Sequence, residues 1–152
     1  FKAYATLLAQ RGDIIDDCVT AVSALTNVDA LNRSINAENE RLEQNTELIR
    51  AVVREHASIA QTEEDYHRKY DPLMEEHSAI SSKLDKLLAE RESKTEHGKR
   101  LRSFLDALKQ APEALLAWDE QLWLLLVDHA TVYPNGSIAF SFKNGTDITV
   151  ND

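Results

Sequence analysis

The sequence predicts a mainly α fold: a long antiparallel coiled-coil hairpin with flanking helices and a small C-terminal antiparallel β-meander. Three observations predict it. Apolar residues recur at alternating steps of four and three from Leu31 to Leu108, the 152 residues include only 4 Gly and 3 Pro, and two Asn-Gly pairs punctuate an alternating tail.

The first element is a base helix within residues 1–28. Over residues 3–25 it carries a stripe of Leu8, Ile15, Val19, Val22 and Leu25, which predicts packing near the base of the hairpin beside the tail. Its role is structural.

The hairpin occupies residues 29–109. Its first ladder runs Leu31, Ile35, Glu38, Leu42, Asn45, Ile49, Val52, His56, Ile59, Glu63, Tyr66 and Tyr70. The second runs Leu73, His77, Ile80, Leu84, Leu87, Arg91, Lys94, Gly98, Leu101, Leu105 and Leu108. Charged residues fill most positions between, as two antiparallel arms require. The polar members Glu38, Asn45, His56 and His77 read as register-setting or edge residues.

The tip lies near residues 57–72, and two start signals compete for it. Thr62 followed by Glu63, Glu64 and Asp65 resembles a capped acidic first turn, which puts the tip near residues 57–61. Asp71-Pro72 is the alternative start. The earlier position makes the arms more equal and leaves a kink at Pro72. Ile59, Tyr66 and Tyr70 near the distal end have little intramolecular surface to bury, which marks them as a partner-contact site.

The tail, residues 110–152, begins with a helix from Pro112 through Val127, whose Leu115, Trp118, Leu122, Leu125 and Leu126 are placed to cover a sheet. Strands follow at 130–133, 137–143 and 146–150, joined by two-residue turns at Asn135-Gly136 and Asn144-Gly145. In the middle strand Ile138, Phe140 and Phe142 share one face.

Composition narrows the function classes. At 43% hydrophobic and 28% charged the chain suits long helices better than a loop-rich enzyme. No apolar run approaches the roughly 20 residues of a membrane span and no signal peptide is legible, so a soluble, cytoplasmic protein is expected. The lone Cys18 excludes an internal disulfide and fits a reducing compartment. A chain that begins at Phe1 reads as a piece of a larger protein. The five histidines sit on separate turns, and no metal-ligating, nucleophile-elbow or phosphate-loop motif occurs. No catalytic residue, metal ligand or cofactor is assigned.

The net charge is −9, with all three regions acidic. Such a chain binds DNA poorly by itself. Lys99, Arg100 and Arg102 form the only basic cluster, a candidate weak contact to a DNA backbone, with a solvated face or a salt bridge to a neighbouring helix as the alternative.

The tail LWLLLVDHATVYPNGSIAFSFKNGTDI resembles the C-terminal end of the large serine recombinases, the site-specific integrases of bacterial mobile elements and transposons. The segment IAQTEEDYHRKYDPLMEEH resembles the stretch that connects the arms of their coiled-coil insertion. The order of elements agrees along nearly the whole chain. Departures are Pro72, where a helix former such as Ala is expected, and the absence of the catalytic-serine and zinc-ribbon segments.

The resemblance implies a non-catalytic coiled-coil region with a tail that closes a zinc-ribbon-type domain. Its parent would be a DNA-binding recombinase that holds zinc, and contacts DNA, mainly through parts outside this sequence. It further implies self-association through coiled coils, in a dimer or tetramer of the parent, to control synapsis and the directionality of DNA recombination. A structural or tethering coiled-coil protein unrelated to DNA is the alternative.

Overall fold

Eight elements follow one another in the computed structural model, which describes residues 1–113, 115 and 117–151. They are α1 (Lys2–Ala9), α2 (Arg11–Thr26), α3 (Asp29–Ser58), α4 (Glu63–Gln110), α5 (Glu120–Leu126), β1 (Val127–Val132), β2 (Ile138–Phe142) and β3 (Asp147–Val150). The chain divides into two units. One, the hairpin, is residues 28–93; the other, the lobe, joins residues 1–27 to those from 94 onward.

The hairpin pairs α3 with the first part of α4. Every ladder position from Leu31 to His56, and from Tyr66 to Arg91, is buried or half-buried, as a period of 3.5 residues requires. Ile35 and Ile80 are buried, and so are two polar members, Glu38 and Asn45. The Asn45 amide donates to the Leu73 carbonyl at 3.1 Å, while its Oδ1 has no partner. Glu38 accepts from Lys83 at 2.5 Å and from Arg41 at 3.1 Å, and Arg41 also reaches Glu76 at 3.3 Å.

The Lys83 hydrogen bond, opposed by burial and assisted by the charges of Lys83 and Arg41, holds the Glu38 carboxyl below its ordinary pKa. A carboxylate whose pKa is lowered by folding stabilises the fold above the unfolded-state pKa and loses that stabilisation as pH falls through the folded value. Acid titration of helicity should therefore show the hairpin weakening below the ordinary carboxylate range. Glu38→Gln should flatten that limb, and an unchanged acid limb would remove Glu38 from the account.

The lobe gathers one apolar core. Leu7, Phe104, Leu108 and Leu126 are its most deeply buried side chains, joined by Ile14, Cys18, Val22, Leu101, Phe142 and Ile148. The single base helix expected over residues 3–25 is instead two, broken at Gln10, whose N–H bonds the Leu7 carbonyl at 3.2 Å. The break sits beside Gly12, a weak helix former. It buries Leu7, Ile14, Cys18 and Val22, leaving Val19 of the expected stripe 48% exposed and Leu8 and Ile15 half-buried. Arg11 then donates to the carbonyls of Lys109 and Ala111, satisfying acceptors at the end of α4.

The helix expected from Pro112 does not form among the described residues; α5 starts only at Glu120. Ala114 and Leu116 lie outside them. Asp119 supplies the competing start signal, accepting the Leu122 N–H at 2.9 Å. The consequence is a shorter apolar face. Leu122 and Leu126 are buried and Leu115 is half-buried, but Trp118 is 66% and Leu125 42% exposed.

The three strands form one antiparallel sheet in the order β1-β2-β3. Ile138 pairs with Val150 and Phe140 with Ile148, which aligns the apolar face expected of the middle strand. Both turns differ from the two-residue form. Among the described residues only Gly136 and Gly145 take positive φ, at 84° and 87°, and each donates its N–H to the carbonyl of the residue three before it, Tyr133 and Phe142. These are three-residue loops closed by a glycine bulge, a geometry that spares Asn135 and Asn144 a left-handed backbone. Their side chains accept the N–H groups of Ser137 and Thr146 instead.

Candidate protein-contact surfaces of the hairpin

The tip is the short link between Ser58 and Glu63, which agrees with the earlier of the two expected positions. Pro72 lies inside α4 rather than at a helix start. Ile59 ends α3 in an extended conformation, and Thr62 caps α4: the Asp65 N–H donates to Thr62 Oγ1 at 3.1 Å, and that hydroxyl donates to the Asp65 carboxylate at 2.8 Å.

The three residues marked as a contact site have different surroundings. Ile59 is 59% exposed. Tyr66 and Tyr70 are half-buried. The Tyr66 ring lies 4.3 Å from His56 and stacks 5.1 Å from Tyr70, so the aromatic pair finds intramolecular surface that the sequence did not disclose. Gln61 Nε2 and His56 Nδ1 are 3.1 Å apart, and Glu55 and Lys69 pair at 2.7 Å. Partial burial, then the neighbouring Tyr70, Glu63 and Asp71, push the Tyr66 hydroxyl above its ordinary pKa. The aromatic stack fastens the two arms at their distal end.

Sequence reasoning passed over other exposed apolar groups. Leu48, Val53 and Met74 are 54%, 45% and 39% exposed, and all three lie in the distal half of the hairpin beside the seam rather than in it. Reading the positions that flank the ladder would have found them.

Lys99, Arg100 and Arg102 are exposed on α4 around the buried Leu101. Lys99 is paired with Glu96 of its own helix at 2.8 Å, which raises the lysine pKa. Among the described residues no His, Cys, Asp and Glu side chains group as metal ligands. No described helix is long and apolar enough to cross a membrane.

The lobe has a concave feature of its own. A groove of about 580 Å³ is lined by Tyr4, Trp118, Leu122, Trp123, Phe140 and Val150 among others. Trp123 meets Trp118 at 5.1 Å and Phe140 edge-on at 5.8 Å. No protein-family model, curated protein or solved structure matches the chain.

Proposed function

We propose that this chain is the non-catalytic coiled-coil region of a large serine recombinase, and that its hairpin makes subunit contacts that govern synapsis and the directionality of site-specific DNA recombination. One observation carries the reading: a hairpin with exposed apolar side chains toward its distal end interrupts, in sequence, a small lobe whose tail has the LW–LVD–TVY–F-x-F-K-x-G-T pattern. A rigid helical pair that presents apolar groups is suited to protein contact. Zinc, the catalytic serine and most DNA contacts belong, on this reading, to other parts of the parent.

The test has two arms. The reading frame upstream of Phe1 should encode a resolvase-like domain with a candidate serine nucleophile; its absence would favour the tethering alternative, which the net charge of −9 also suits. In the parent, Ile59→Ser should leave DNA binding intact and reduce synaptic complex formation. Unchanged synapsis and directionality would remove Ile59 from the contact.

A further inference from the structure

We propose that one flank of the hairpin, centred on Val53 and Met74, is the face against which a second copy of the hairpin packs side by side. The positions beside the seam sort into two lanes of different chemistry. One lane is charged and tied across the arms, with Arg41 bonded to Glu76 at 3.3 Å and Glu55 to Lys69 at 2.7 Å. The other contains Thr46, Val53, His67, Met74, Ser81 and Leu88, without an Asp, Glu, Lys or Arg. Antiparallel coiled coils exposed to water ordinarily carry charge on both flanks. Here one flank is bare and displays two large apolar side chains.

The cross-arm ties fix the levels. With Glu55 joined to Lys69 and Asn45 to the Leu73 carbonyl, Thr46 stands level with Met74 and Val53 with His67. Val53 and Met74 thus share one flank about two helical turns apart.

Charge complementarity identifies the occupant. The bare lane is bordered on α4 by Glu64, Asp71 and Asp85, and on α3 by Glu43 and Arg50; within one copy Arg50 pairs with Glu47 at 2.5 Å and Asp71 with His67 at 3.1 Å, so a contact between copies would exchange these exposed pairs. If two hairpins lie side by side with their tips pointing the same way, related by a two-fold axis along them, α4 of each runs beside α3 of the other. The same register then sets each Asp71 level with the second copy's Arg50. The strip is small, so the interface belongs to the weak, reversible class that buries roughly 1,200 Å² or less. This inference rests on the proposed reading of the hairpin as an arm that makes subunit contacts.

Sedimentation equilibrium of the whole chain across a concentration series tests it. The unaltered chain should dimerise reversibly. The variant carrying Val53→Lys and Met74→Lys should dimerise more weakly by roughly tenfold or more, because the two-fold axis duplicates each new charge in a desolvated strip. Leu48→Lys on the opposite flank should leave the dissociation constant within about twofold. Arg50→Asp should weaken association, and adding Asp71→Arg should restore it, a rescue that loss of folding cannot mimic. A monomer at every concentration would overturn the proposal. Dissociation by Ile59→Ser with no effect of the flank variants would also overturn it, while leaving the self-association arm standing with its contact moved to the tip.

Discussion

Phe104→Ala should destabilise the lobe by about 3–5 kcal/mol, the usual cost of removing a fully buried aromatic side chain and leaving a cavity. Phe104 is 0% exposed and shares its core with Leu7, Leu108 and Leu126, which come from α1, α4 and α5. One truncation therefore loosens three elements together. Trp118 and Trp123 both belong to the lobe, so tryptophan fluorescence during urea unfolding reports this unit selectively. A loss below about 1 kcal/mol would mean that this core is not assembled around Phe104.

Asn45→Leu should act in the opposite direction, raising hairpin stability by about 1–3 kcal/mol. The Asn45 carbonyl oxygen is buried without a partner and its amide makes a single bond to a helical carbonyl, so an apolar side chain of similar size removes a desolvation cost and fills the seam. The gain has a counterpart in register. A polar residue in an apolar ladder penalises slipped pairings, and its removal should admit them. Thermal unfolding followed by helicity checks the first effect. Disulfide trapping between cysteines placed at in-register and one-heptad-shifted positions checks the second. A less stable Asn45→Leu hairpin would show that the Leu73 bond outweighs the orphaned oxygen.

The hairpin was legible because its signal is periodic and long: the ladder positions from Leu31 to His56 and from Tyr66 to Arg91 are those that leave solvent. The strand face of Ile138, Phe140 and Phe142 was legible for the same reason. Short-range competition was not. Whether residues 3–25 formed one helix or two depended on a single turn at Gln10, and the start of α5 on Asp119 rather than Pro112. The turns were recognised by their Asn-Gly pairs, but both asparagines keep negative φ and use their side chains. At the tip, the surface that Tyr66 and Tyr70 bury is not legible, because a linear sequence does not show that His56 lies against Tyr66 and that Tyr70 stacks behind it. The bare flank was present in the sequence, and became readable once the cross-arm ties fixed which side each residue occupies.

The hairpin's place between the two sequence pieces of the lobe bears on how such a chain can vary. To the lobe, residues 28–93 are a connection whose ends must be brought together. The entropy of closing a connection grows only with the logarithm of its length, about 0.6 kcal/mol for each doubling, and a connection that pairs with itself costs less. Whole heptads could be gained or lost in both arms together with almost no effect on the lobe, provided that the seam stays in phase. Reach would then be an adjustable property of the chain, altered by insertion and deletion, while the lobe's core residues keep their own constraints.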